Sequence, residues 1–213
     1  MVVIVSAPSG AGKGRLIKGV LEIDSDLRLS VSCTTRKKRP GEEDGVDYYF
    51  RLREAFLKDV QDGKFAEWAE VFGNGSLYGT LKSELEPKEK NKDVLVEIDC
   101  VGADQIKERM PEVKRIFILP PSPQVLEQRL RLRASGEKED DIKVRLATAI
   151  REVRQASAFD YWIVNDDFET AKTELILLID LLRTQERTRC QLEGDYRDPK
   201  VLSEIQSTFV PSN

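Results

Sequence analysis

Residues 6–13 read Ser-Ala-Pro-Ser-Gly-Ala-Gly-Lys, between the β-branched run Val2–Val5 and apolar residues at helical spacing, Leu16, Ile17, Val20 and Ile23. A glycine-rich turn from a buried strand into a helix aims successive backbone N–H groups into one concavity, and the helix dipole adds positive potential there. That is an anion site, and Lys13 has the reach to meet the outer phosphates of a nucleotide. Ala7, Pro8, Ser9, Gly10, Ala11, Gly12, Lys13, Gly14 and Arg15 therefore form a candidate nucleotide loop. It departs twice from the pattern Gly-x-x-x-x-Gly-Lys-Ser/Thr. Ala7 replaces the first glycine, and Gly14-Arg15 replaces the hydroxyl that could ligate a metal directly.

Phosphoryl transfer between nucleotides crowds negative charge, so catalysis is mostly positioning and neutralisation. Arginine forks suit that task. They fall in three segments: Arg36 and Arg39; Arg129, Arg131 and Arg133; and Arg145. The chain has 213 residues with 34 basic, 38 acidic and no histidine, a formal charge of −4. Without histidine there is no Ser-His-Asp triad, no Cys-His dyad and no imidazole metal site. The mildly acidic balance gives no broad footprint for nucleic acid or membrane. Cys33, Cys100 and Cys190 form neither a zinc spacing nor a disulfide framework, which fits a reducing cytoplasm. Val2–Val5 is too short for a signal peptide or a membrane span.

Strand-like and helix-like patterns alternate along the chain. Residues 94–98, 115–119 and 161–164 read as buried strands. Pro120-Pro121 ends the second, because proline cannot donate to a ladder. Ile142, Leu146, Ala149, Ile150 and Val153 mark one helix face behind an acidic first turn at 137–141, and residues 171–182 mark another. The alternation predicts an α/β fold, a three-layer parallel sheet with helices on both faces. Residues 30–85 break the rhythm without a long helix pattern and read as an inserted subdomain. Residues 188–213 read as a loosely docked polar tail.

Six segments resemble guanylate kinase, in order, from residue 2 to about residue 187. They are residues 6–13, Val-Ser-Cys-Thr-Thr-Arg-Lys-Lys-Arg-Pro-Gly-Glu at 31–42, Gly-Val-Asp-Tyr-Tyr-Phe at 45–50, Glu-Trp-Ala-Glu-Val-Phe-Gly-Asn at 67–74, Ile-Leu-Pro-Pro-Ser at 118–122 and Ile-Val-Asn-Asp-Asp at 163–167. The resemblance implies ATP-dependent phosphorylation of GMP, and of dGMP, in purine nucleotide metabolism, on a P-loop kinase fold. It implies a domain over 1–187 with its core at 1–30, 86–125 and 158–187. A GMP-binding subdomain would span 31–85, a helical lid region 126–157, and a tail 188–213. The expected lid is the charged run from Ala134 to Asp141.

On the same resemblance Lys13 and the loop amides would hold ATP, with Asn165 near the adenine. Arg36, Arg39 and Tyr48 would bind the GMP phosphate. Ser32, Glu67 and Thr80 would contact the guanine, with Tyr78 helping and Asp99 facing GMP. Arg129, Arg133 and Arg145 would close over the transferring group. Mg²⁺ would come with ATP, reached through water by Glu97 and Asp99. Partners would be ATP and GMP alone, in the cytoplasm, with the oligomeric state left open. The Glu67 role is independently sensible, since a carboxylate accepts from guanine N1–H and N2–H₂ together, and adenine lacks that donor pair. Glu97 stands where the family has aspartate, and the segment 73–80 is two residues longer than its pattern. Two alternatives remain: a non-catalytic guanylate-kinase-like binding module, and a kinase for another nucleoside monophosphate.

Overall fold

The computed structural model describes residues 1–70, 75–86, 92–133, 139–184 and 198–209, and of Arg133 the backbone only. In chain order its elements are β1 (Val2–Ser6), α1 (Lys13–Leu21), β2 (Leu27–Leu29), β3 (Cys33–Thr34), β4 (Tyr49–Phe50), α2 (Arg53–Gln61), β5 (Phe65–Glu70), β6 (Leu77–Leu81), α3 (Lys82–Leu85), β7 (Asp93–Glu97), α4 (Cys100–Arg109), β8 (Lys114–Leu119), α5 (Pro123–Arg133), α6 (Glu139–Arg154), β9 (Tyr161–Val164), α7 (Phe168–Arg183) and α8 (Pro199–Thr208). The larger sheet is parallel, in the order β2-β7-β1-β8-β9, and is flanked by helices. Its central strands read as near-continuous apolar runs because both faces are covered. Val3, Ile4, Val5, Leu95, Val96 and Ile116–Leu119 are all fully buried. The expected α/β architecture is therefore present.

The chain divides into two compact units. One comprises Met1–Ile4 and Ser25–Val113, the other Val5–Asp24 and Lys114–Asn213. In the first, a four-stranded sheet runs β4-β3-β6-β5. One of its faces packs on a small core of Cys33, Phe56, Phe65 and Leu77, with Phe56 and Phe65 stacked at 4.4 Å. Phe56 comes from α2, a helix inside residues 30–85 where the sequence shows no long helical pattern. Its hydrophobic face is only Phe56 and Val60, too narrow to register as a stripe. In the second unit, α1 and α7 pack together, and Phe117 meets Phe159 edge to face at 4.9 Å.

Two stretches differ from the sequence reading. Helix α1 ends at Leu21, and Ile23, read as part of its apolar face, is 60% exposed. Of the expected acidic turn at 137–141, the described residues Glu139, Asp140 and Asp141 lie at the start of α6. Within the stretch read as a tail, α8 buries Leu202 and Phe209, and Gln206 donates to the carbonyls of Val153 and Arg154. Those are the last carbonyls of α6, which have no partner inside their own helix. Cys190, residues 73–74 of the lengthened segment and residues 134–138 of the expected lid lie outside the described residues.

Candidate active site

The second unit carries the candidate nucleotide loop. Gly10 and Gly12 both take left-handed backbone, φ 95° and 90°, which favours a residue without Cβ. Packing adds a second reason for glycine. A Cβ on Gly10 would come within 2.9 Å of Leu126, and one on Gly12 within 2.5 Å of the Asn165 amide nitrogen. Gly12 is the N-cap of α1, and Lys13 opens the helix. Asn165, at the end of β9 and nearly buried, donates from its amide to the Ala11 carbonyl at 2.7 Å. Arg129 of α5 donates to the Asn165 carbonyl at 2.9 Å, and Arg145 of α6 reaches the Ser9 hydroxyl at 3.3 Å. The loop is thus braced by a strand end and two helices. Arg15 lies over the Phe168 ring, 4.0 Å from its centroid, a cation–π contact at the start of α7. Of the candidate arginines in this unit, Arg129 and Arg145 gather around the loop. Arg131 instead pairs with Glu127 and Glu139.

The first unit carries the acceptor-side candidates, and its strand register decides which way they face. Phe65 pairs with Leu81, whereas Glu67 pairs with Thr80, so β5 bulges by one residue between them. Paired residues share a face and consecutive residues do not. The bulge therefore sends Phe65 into the apolar core and Glu67 to the opposite face, with Thr80 and Tyr78. Unlike a surface helix acid, Glu67 sits on a strand and is 5% exposed. Its Oε1 accepts from the Thr80 hydroxyl at 2.7 Å. Burial pushes its carboxyl up to about 7, with Asp99 repelling the charged form and the Thr80 hydrogen bond opposing the shift. Asp99 caps α4, its Oδ1 accepting from the Gly102 amide at 2.8 Å.

Arg36 and Tyr48 meet on this side. The Arg36 guanidinium lies 5.2 Å from the Tyr48 ring centroid, and Tyr48 contacts Tyr78 edge to face at 6.1 Å. Glu42 clasps Arg36 with both oxygens, at 2.7 and 2.9 Å, and also accepts from the Arg39 amide at 2.7 Å. The Arg36 fork holds the Glu42 carboxyl down at about 2. Arg39 is exposed, Ser32 and Glu97 are half-buried, and Ser32 lies just before β3. The structure therefore brings together Glu67, Thr80 and Asp99, and also Arg36, Tyr48 and Tyr78. Glu42 was not singled out from sequence. Its signal is an acid three residues after Arg39, closing an otherwise basic run.

The guanylate kinase family model matches residues 1–181. A guanylate kinase of Thiobacillus denitrificans is 45% identical over 199 residues, covering 91% of this chain and 94% of the relative. One of Acinetobacter baylyi is 48% identical over 177 residues, 82% of this chain and 84% of the relative. Among solved structures, a guanylate kinase from Anaplasma phagocytophilum aligns with a TM-score of 0.66 at 33% identity, covering 98% of this chain and 95% of the other.

Proposed function

The chain belongs to the guanylate kinase family, and from that membership we propose that it transfers the γ-phosphoryl group of ATP to GMP or dGMP. The observation that carries the reading is the family match over residues 1–181 in a chain that keeps Lys13 and its glycine loop. A phosphate oxygen of GMP attacks the γ-phosphorus. The bond from that phosphorus to the bridging oxygen breaks, and its electron pair leaves on ADP. Little proton transfer is needed, so a chain without histidine loses nothing.

We assign the roles as follows. Residues 7–15, with Lys13, hold the ATP phosphates. Asn165 braces the loop beside the adenine. Arg129, Arg133 and Arg145 neutralise the transferring group. Arg36, Arg39 and Tyr48 bind the GMP phosphate, and Glu67, Thr80, Ser32 and Tyr78 read the base, with Asp99 facing GMP. Residues 31–85 act as the GMP-binding subdomain and 126–157 as the lid that excludes water. The buried Glu67 with its Thr80 partner supports guanine, because a rival base without the N1–H and N2–H₂ pair leaves that carboxylate unsatisfied.

ATP comes with a divalent cation, which we take to be Mg²⁺. No group of three or more acids or cysteines among the described residues could hold a metal. A small hard dication carried on phosphate oxygens and water needs no such cage. Glu97 and Asp99 are the acids we assign to its water shell, and the ion would supply charge neutralisation. We place the enzyme in the cytoplasm. Its relatives here are bacterial enzymes, and no helix among the described residues is long and apolar enough to cross a membrane.

A coupled ADP-release assay with GMP, dGMP, AMP and UMP tests the reading. Turnover is expected with the two guanine nucleotides, with AMP and UMP disfavoured by roughly 10⁴-fold. No turnover with any acceptor overturns the enzymatic reading, and a preference for AMP or UMP overturns the guanine assignment.

A further inference from the structure

Helix α4 does more than connect β7 to β8. It lies along β5, and its side chains complete that strand's outer edge. Gln105 accepts from the Trp68 amide at 3.4 Å and donates to the Trp68 carbonyl at 3.2 Å, as a neighbouring strand would. Arg109 donates to the carbonyls of Phe65 and of Ala66, the extra residue of the bulge. The strand that bears Glu67 is therefore held from Phe65 to Trp68 by one helix.

The first turn of the same helix meets the Glu67 carboxylate itself. A Cβ built on Gly102 would lie 3.1 Å from Glu67 Oε2 and 3.2 Å from its Cδ. Both distances are shorter than comfortable contact, and the carboxylate has little room to retreat. Its other oxygen is tied to Thr80, its residue is 5% exposed, and its strand is clamped by Gln105 and Arg109. Gly102 has ordinary helical backbone and is not needed for a left-handed turn, since it is absent from the positive-φ glycines. Even in the first turn of a helix, glycine has a lower helix propensity than alanine. The open space toward Glu67 is the local reason for it.

We propose that Gly102 is a specificity-determining residue of the phosphotransfer, its missing side chain being the space that fixes where the Glu67 carboxylate presents itself to the acceptor base. The inference rests on Glu67 reading guanine. With Gly102→Ala the new methyl displaces the carboxylate by a few tenths of an ångström and tilts it from the base edge. Acceptor affinity then falls while the nucleotide loop is untouched. Because alanine favours helix and the Gly102 amide still caps onto Asp99, the fold is kept.

The experiment is a coupling cycle between positions 102 and 67. GMP affinity is read by calorimetry or by the fluorescence of Trp68, and KM for GMP and for ATP are read separately. Gly102→Ala is expected to raise the GMP Kd and KM about tenfold or more, as one misplaced methylene does in a tight pocket, with KM for ATP within twofold. In a Glu67→Asp background, where the carboxylate is one methylene shorter, the same change should cost less than threefold. An unchanged GMP Kd, an equal cost in both backgrounds, or an equal rise in KM for ATP overturns the proposal. If Gly102→Ala proves unfolded by its thermal midpoint, Gln105→Ala takes its place. That variant should also weaken GMP and spare ATP, and no effect on GMP overturns the role of α4. Absence of GMP turnover in the unsubstituted chain would instead overturn the guanylate kinase reading.

Discussion

Around Lys13 the proposed anion site is made of main chain: two left-handed glycines and a helix start, braced from outside by Asn165, Arg129 and Arg145. Around Glu67 the proposed base site is made of side chains from β5 and β6 set against α4, with a carboxylate held in a buried place that resists its charge. A phosphate looks the same on every nucleotide, so fixed amides serve for holding it. A base must be told from its rivals, and discrimination needs a buried group that suffers when the wrong partner arrives. The first design is robust and general. The second is tunable and exposed to damage.

The sharpest way to separate the two is substitution on each side. Lys13→Ala should lower kcat by ~10³-fold or more, since single cationic groups at such transition states carry that much. A loss below about threefold would deny the loop its role. Glu67→Gln should lower kcat/KM for GMP about a hundredfold while KM for ATP holds. If ATP binding suffers equally, the two sites are not separable as described.

The third contrast is in pH. With its carboxyl raised to about 7, Glu67 must give up a proton before accepting from guanine, so GMP affinity should fall about tenfold from pH 8 to pH 6. ATP affinity should not follow the same curve. For stability the sign runs the other way. The unfolded chain ionises Glu67 near its ordinary 4.5, while the fold retains the proton to about 7. Glu67 therefore lowers stability progressively between those values, by about 3 kcal/mol in total, and no further above them. Urea titrations from pH 4.5 to 8 should show the decline in the native chain and lose it in Glu67→Gln.

The smallest effect belongs to Glu42. Glu42→Gln should raise KM for GMP about threefold, by releasing Arg36 from its bidentate clasp. If KM falls instead, the charge of Glu42 beside the substrate phosphate outweighs its hold on Arg36.

The same contrast explains what could be read from residues alone. The loop is contiguous, its strand and helix flank it, and each part leaves a local signature, so residues 6–13 announce themselves. The acceptor site has no local signature. Glu67 meets Thr80 only because β5 pairs with β6, and it faces away from the core only because of a one-residue bulge that strict alternation hides. Gly102 is thirty-five positions from the carboxylate it accommodates. A resemblance supplied Glu67 and Thr80 but not Gly102, and no periodicity could name any of the three. Helix α2 has no helical stripe in its sequence for a related reason, since two apolar residues suffice to dock it on a small core.

The division of the chain has a consequence for its synthesis. The unit around Glu67 is almost one continuous stretch, from Ser25 to Val113. The nucleotide loop leaves the ribosome before the groups packed against it, Leu126, Leu130 and Asn165, which come more than a hundred residues later. At ~5–20 residues per second, Gly12 waits on the order of ten to thirty seconds for Asn165. Until β7 and β8 have been made, the strand Val2–Ser6 has neither of its sheet neighbours and stays open to chaperones.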